Sequence, residues 1–152
     1  MWQIEQITEI SDEVIAAVER LTPRLASGNQ VAISREYLQK VVANSANIWL
    51  AARSSQGGEI VGMAVLVVFE LPTNVRALLE NVVVDASYAH QGIGSALIER
   101  AKQEADKRLV NTIRASTGVS NSAPNGLLAK AGFTTEKSMN WYEYDIHQGP
   151  RI

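Results

Sequence analysis

Two glycines, Gly92 and Gly94, stand between an apolar run and a helix-forming segment. The full order is Asn81-Val82-Val83-Val84-Asp85-Ala86-Ser87-Tyr88-Ala89-His90-Gln91-Gly92-Ile93-Gly94-Ser95-Ala96-Leu97-Ile98. Such an order brings the free N–H groups of a helix's first turn to the end of a buried strand, where a phosphate-bearing ligand can dock. Lacking a Cβ, both glycines let the backbone turn sharply and approach an anion closely. The same residues also read as an ordinary strand–turn–helix joint, with the glycines needed only for the turn.

Spacing separates three phosphate-binding signatures. A Walker A loop ends in Gly-Lys-Ser/Thr, but Gly94 is followed by Ser95-Ala96. A Rossmann loop needs a third glycine where Leu97 stands, and an acid closing the next strand, which reads Asn111-Thr112-Ile113-Arg114-Ala115-Ser116. Neither fits. The remaining pattern, a strand, then Gln91-Gly92-Ile93-Gly94-Ser95, then a helix, resembles the acetyl-CoA loop of the GNAT superfamily of N-acetyltransferases.

The resemblance extends over nearly the whole chain. Leu79-Glu80-Asn81-Val82-Val83-Val84-Asp85 looks like the family's fourth strand, with an acid at a position that often serves as base. Asn121-Ser122-Ala123-Pro124-Asn125-Gly126-Leu127-Leu128-Ala129-Lys130-Ala131-Gly132-Phe133 is similar to its Asn-x-x-Ala-x-x-Leu-Tyr-x-x-x-Gly-Phe block. There are departures. Ala89 stands where Arg or Gln usually heads the loop, His90 where Gly is common, Pro124 in place of Ala, and Leu128 in place of the Tyr that often protonates the departing thiolate.

The resemblance implies acetyl transfer from acetyl-CoA to a primary amine of a small molecule or peptide, with no metal. It also implies a cosubstrate site. Backbone groups of Val82 and Val84 would pair with the pantetheine arm in strand-like fashion. The N–H groups of Gln91, Gly92, Gly94 and Ser95, in the loop headed by Ala89 and His90, would hold the pyrophosphate. Asn121 would reach the pantetheine amides, and Lys130 would lie near the ribose phosphate, unless it is simply an exposed helix lysine.

Glu80 is the preferred base. A lysine-like ammonium, with a pKa near ~10, is almost wholly protonated at neutral pH, and a carboxylate can draw off its proton directly or through water. Strand alternation places Glu80 on the face of Val82 and Val84; its other reading is a solvated strand glutamate or half of an ion pair. With Leu128 unable to donate a proton, the candidate acids are Tyr142 and Tyr144, or solvent. Arg24, Asn29, Gln30, Arg35 and Tyr37 offer hydrogen bonds for an acceptor without fixing its identity. The alternative function is a CoA-binding regulatory or interaction module without turnover, as the departures at Leu128 and Ala89 would allow.

The elements that must position these residues follow from periodicity. Trp2–Ile7 alternates as a first strand. Ser11 caps a helix with Asp12 and Glu13 in its first turn, stopped by Pro23; Ser34 caps a second with Tyr37, Leu38, Val41 and Val42 on its face. Ile48–Arg53 and Glu59–Phe69 read as strands around the glycine turn at 54–58, and Ala77–Asp85 as the next, with Val82-Val83-Val84 implying burial on both faces. The helix after Gly92 has Ile93, Leu97, Ala101 and Ala105 on one stripe, and Lys102 and Asp106 at pairing distance on the other side. Asn111–Ser116 makes a fifth strand, a helix after Asn121 stops at Gly132, and Phe133–Glu136 and Trp141–Ile146 supply final strands. The expected fold is one α/β (α+β) domain over residues 1–147, with a loose tail at 148–152. Its sheet is mixed and mainly antiparallel, flanked by helices and, as the family implies, splayed between strands four and five.

Composition sets bounds on function. At 152 residues the chain suits one domain, able to bury about 70% of its unfolded surface. A net charge of −2 gives no general attraction to nucleic acid or to an anionic membrane. The absence of cysteine excludes thiolate catalysis and cysteine metal sites, and His90 and His147 show no ligand spacing. No signal segment is apparent and the apolar stretch Ile60–Phe69 is too short to span a bilayer, so a cytoplasmic protein is expected. Whether it forms a homodimer is left open.

Overall fold

The computed structural model describes residues 2–25, 31–55, 58–116, 122–135 and 140–146. The elements run β1 (Trp2–Gln6), α1 (Asp12–Leu21), a 3₁₀ turn (Thr22–Arg24), α2 (Arg35–Ala43), β2 (Asn47–Ser54), β3 (Ile60–Glu70) and β4 (Val75–Val84). A second 3₁₀ turn (Ala86–Tyr88), α3 (Ile93–Lys107), β5 (Thr112–Arg114) and α4 (Ser122–Lys130) follow. The five strands lie in sequence order, antiparallel from β1 to β4, with β5 parallel to β4. This is the mixed, mainly antiparallel sheet the sequence implies. No helix among the described residues is long and apolar enough to cross a membrane.

Both predicted caps form. The Ser11 hydroxyl accepts from Val14 N–H at 3.2 Å, and the Ser34 hydroxyl from Tyr37 N–H at 3.1 Å. Each occupies one of the donors a helix start leaves unpaired. Alternation on β2 then divides the interior. Ile48, Leu50 and Ala52 join the cluster under α3, whereas Trp49 and Ala51 join the cluster under α1 and α2. The stripe Ile93, Leu97, Ala101 and Ala105 is buried as expected. Of the expected α2 face, Leu38 alone is fully buried, and Tyr37 is exposed.

α3 is fixed at both ends. Arg100 donates to Ile4 O at 2.8 Å, tying the helix to β1, and to Glu104 at 3.1 Å. Lys107 and Arg100 together hold the Glu104 carboxyl below the usual carboxylate range, against the opposing effect of burial. The expected Lys102–Asp106 pair does not form. Lys102 instead bonds Glu99 at 3.0 Å and the Ala131 carbonyl at 2.9 Å, because the end of α4 comes within its reach. That end is a Schellman stop. Gly132 has φ +94°, its N–H bonds Ala129 O, and Phe133 N–H bonds Leu128 O.

Three further expectations are corrected. β5 is shorter than Asn111–Ser116, since its pairing with β4 ends at Leu78↔Arg114. Phe133–Thr135 and Trp141–Ile146 form no strand, and Trp141, Tyr142, Tyr144 and Ile146 are 73–90% exposed with no sheet edge paired to them. Glu136, the 148–152 tail and part of the 54–58 turn lie outside the described residues. Finally, of the three consecutive valines Val83 is buried, while Val82 and Val84 are partly open. Those two border a cavity rather than a second packed layer.

Gly62 sets how closely α3 lies on the sheet. A Cβ there would meet Ile93 Cγ2 and Val83 O at 3.1 Å each, and Leu97 Cδ1 at 3.3 Å. A buried backbone oxygen and two core side chains leave little room to give. Gly62→Ala is therefore expected to destabilise the fold by about 1–3 kcal/mol, read as a lower denaturation midpoint at unchanged m-value; an unchanged or raised midpoint would refute this packing constraint.

Candidate active site

β4 contains one extra residue relative to β3. Met63 pairs with Val83 and Val65 with Glu80, so two steps on β3 correspond to three on β4. The surplus is taken up at Asn81, whose φ of +52° is the left-handed conformation that asparagine tolerates better than most residues. The bulge exchanges the strand's faces. Leu79 packs in the α3-side cluster, but Val83 packs under α1 and α2. The expectation that Glu80 shares a face with Val82 and Val84 is thereby overturned: those valines pack toward α3, and Glu80 lies on the opposite, α1 side.

Just before the bulge β4 also parts from β5. Beyond Leu78 no described residue of β5 pairs with it, and its remaining edge borders a cavity of about 1100 Å³. The expected splay is present. Ala115 and Ser116 continue β5 along the far wall, and α4 contributes Leu127, Leu128 and Lys130. Arg24 and Leu25 line the same cavity from the 3₁₀ turn after α1. The opening therefore runs through the sheet, from the α3/α4 side to the α1 side.

The loop at the α3 end is held by backbone and side-chain bonds. The Asp85 carboxylate accepts from Ser87 N–H at 2.9 Å and pairs with Arg20 at 3.5 Å; Tyr88 N–H returns to Asp85 O at 2.9 Å. Trp2 donates its indole N–H to Gln91 O at 3.2 Å and meets Tyr88 edge-on at 5.6 Å. His90 (φ +62°) and Gly92 (φ +83°) turn the chain into α3. The first helical bond is Ala96 N–H to Gly92 O, which leaves the N–H groups of Ile93, Gly94 and Ser95 without helical partners. Ile93, Gly94 and Ser95 all line the cavity.

The two glycines have different tasks. Around Gly92 an added Cβ would meet nothing, so its need is conformational. At Gly94 a Cβ would meet Leu127 Cδ2 at 2.9 Å, so a larger residue there requires the Leu127 side chain of α4 to shift.

Most of the sequence-derived candidates come together here. Glu80, Val82, Val84, Ala89, His90, Gly92, Gly94, Ser95 and Lys130 line the cavity. Gln91 does not line it, although its carbonyl anchors the loop. Asn121 lies outside the described residues, as do Asn29, Gln30 and His147. Tyr142 and Tyr144 are 90% and 86% exposed and do not line the cavity. Sequence reasoning missed Leu25 and Asn81. Tyr88, a further possible phenol in the sequence, lines the cavity, unlike Tyr142 and Tyr144. Neither Leu25 nor the bulge at Asn81 carried a sign in the sequence alone.

The Acetyltransferase (GNAT) family profile matches residues 15–133. The ribosomal protein bS18-alanine N-acetyltransferase of Escherichia coli K12 is 33% identical over 92 residues, 60% of this chain and 59% of that enzyme's length. Among solved structures, an aminoglycoside acetyltransferase from an uncultured soil metagenomic sample superposes with a TM-score of 0.81 at 19% identity, over 96% of this chain and 97% of that one. Glucosamine-6-phosphate N-acetyltransferase of Arabidopsis thaliana gives 0.76 at 14% identity, over 95% and 99%. The chain belongs to the GNAT family of acetyltransferases.

The donor set suits the family's cosubstrate. An unpaired strand edge offers alternating N–H and C=O groups to an amide-bearing arm, and a helix start offers N–H groups and a positive dipole end to phosphates. Ser95 is the third residue of α3, where an acid stabilises a helix but repels an anion. Ser95→Asp is expected to keep or slightly raise the melting temperature while weakening CoA binding at least ~10-fold, the scale of a lost charge-assisted contact. Equal CoA affinity in calorimetry would mean the helix start does not hold phosphate.

Proposed function

We propose that this protein transfers an acetyl group from acetyl-CoA to a primary amine by direct attack of the amine on the thioester. The observation that carries this reading is the opening through the sheet. Anion-binding N–H groups stand on its α3 side and a carboxylate, Glu80, on its α1 side. Acetyl-CoA, when bound, supplies an activated acyl carbon and a thiolate leaving group.

The residues of this chain do the rest. The N–H groups at the start of α3 hold the pyrophosphate, and the free β4 edge at Val82 and Val84 aligns the arm. Lys130 adds positive charge along the wall, and His90 offers a ring N–H donor there. Glu80 is exposed and has no ion-pair partner among the described residues, so its carboxylate is available to take a proton from an approaching ammonium, directly or through water. Leu128 occupies the cavity wall where the family often has tyrosine, so the thiolate takes its proton from solvent or from Tyr88, a phenol that lines the cavity. The exposed Tyr142 and Tyr144 are set aside for that role.

Leu128 also supports a second reading, a CoA-binding module without turnover. Calorimetry with acetyl-CoA and a thiol-release assay over a broad amine panel separate the two. Binding with thiol release supports transfer; binding without release for any amine supports the module; no binding at millimolar acetyl-CoA overturns both.

Glu80→Gln is expected to retain acetyl-CoA binding and lower turnover about 10²- to 10⁴-fold at neutral pH. The loss should shrink as pH approaches the amine's own pKa, because deprotonated amine no longer needs a base. A deficit that persists at high pH would make Glu80 a positioning residue, and wild-type turnover throughout would remove it from the mechanism.

A further inference from the structure

One cation on the cavity wall stands apart from the side proposed for the CoA phosphates. The charged or basic residues among the described lining are Arg24, Glu80, His90 and Lys130. His90 precedes α3 and Lys130 ends α4, so both stand on the side assigned to the CoA phosphates. Arg24 does not. It ends the 3₁₀ turn after α1, and its neighbour Leu25 packs into the α1/α2 cluster on the other side of the sheet. The bulge at Asn81 turns Glu80 toward that same side.

Arg24 is exposed and, among the described residues, has neither an ion pair nor a hydrogen bond. Arg20, one turn earlier, differs: it bonds the Ile60 carbonyl and lies within ion-pair distance of Asp85 and Glu59. An unpartnered arginine on an open surface needs no explanation. Here, however, Arg24 lines a cavity in which, among the described residues, the one lining carboxylate is that of the proposed base. A planar fork of donors suits a carboxylate or a phosphate far better than a neutral group.

We propose that the acceptor amine carries an anionic group, carboxylate or phosphate, which Arg24 holds while the amino group faces Glu80. This rests on the acetyl-transfer reading. The charge would do two things: raise affinity, and orient the amine by fixing its far end. It would also disfavour polycationic acceptors, which would meet Arg24 without a counter-charge.

The test uses matched acceptor pairs with acetyl-CoA, read by thiol release: an α-amino acid against its amide, and phosphoethanolamine against ethanolamine. The acid-bearing member of at least one pair should have the lower KM, and the pair that shows this identifies carboxylate or phosphate as the anion. In Arg24→Gln the KM ratio within that pair should collapse about 10- to 100-fold, with kcat changed less. Arg24→Lys should keep part of it. Acetyl-CoA affinity, measured by calorimetry on each protein, keeps the two readings apart. If acetyl-CoA binds and amines are acetylated with no preference for the acid, or with a preference that Arg24→Gln leaves intact, the acceptor assignment is overturned and acetyl transfer stands. If Arg24→Gln chiefly weakens acetyl-CoA, Arg24 belongs to the cosubstrate site and the assignment is likewise overturned. If acetyl-CoA does not bind the parent protein, both readings fall.

Discussion

A strand buried in a sheet must pair its backbone groups on both edges, and beyond Leu78 no described residue of β5 pairs with β4. Groups left unpaired away from water cost roughly 1–3 kcal/mol each, so such an edge survives only where solvent or a ligand can reach it. The cavity beside β4 meets that condition. The bulge at Asn81 adds local twist to the strand and follows closely on Leu78, the last residue of β4 paired with β5. One surplus residue thus coincides with the opening of the sheet and with the exchange of faces between Leu79 and Val83.

Keeping the opening from collapsing falls to the packing on either side. α3 lies close to β3 because Gly62 has no side chain, and Leu127 of α4 rests against Gly94 of α3. Lys102 ties α3 to the end of α4 through the Ala131 carbonyl. On the opposite side, Arg20 links α1 to the start of β3 through Ile60 O and to the end of β4 through Asp85. The side-chain exposures of Arg20 and Asp85, 39% and 18%, place that pair at the surface margin, where its worth is modest. Its geometric effect matters more: Asp85, held there, also orders the turn that leads into the loop before α3.

Much of this was legible in the sequence where local chemistry decides structure. Ser11 and Ser34 announced their helices because hydroxyls cap unpaired N–H groups. The 93–105 stripe announced α3 because burial has the helix period, and Gly132 announced a stop because glycine accepts a positive φ. What escaped was non-local. Strict alternation from Glu80 to Val84 gave the wrong face, since a bulge is defined by a count on two strands and a sequence displays one at a time. The same holds for Gly94. Its close neighbour is Leu127, 33 residues later, and no motif reports that contact. Trp141–Ile146 has strand-forming residues but no paired edge, and strand propensity means little without a neighbour.

The division between backbone and side chains also explains which departures from the family pattern the site can absorb. Ala89 supplies no side-chain donor at the head of the loop, yet the N–H groups of Ile93, Gly94 and Ser95 remain free because helix geometry, not residue type, leaves them so. A phosphate site built this way is indifferent to most substitutions that preserve the turn. The α1 side has no such redundancy. On the proposed reading Arg24 and Glu80 would act there through side chains whose chemistry changes with a single substitution, and the backbone beneath them would not register the exchange. On that reading acceptor choice would rest with the side chains on the α1 side of the sheet, because a site held by backbone N–H groups binds its anion whatever the acceptor.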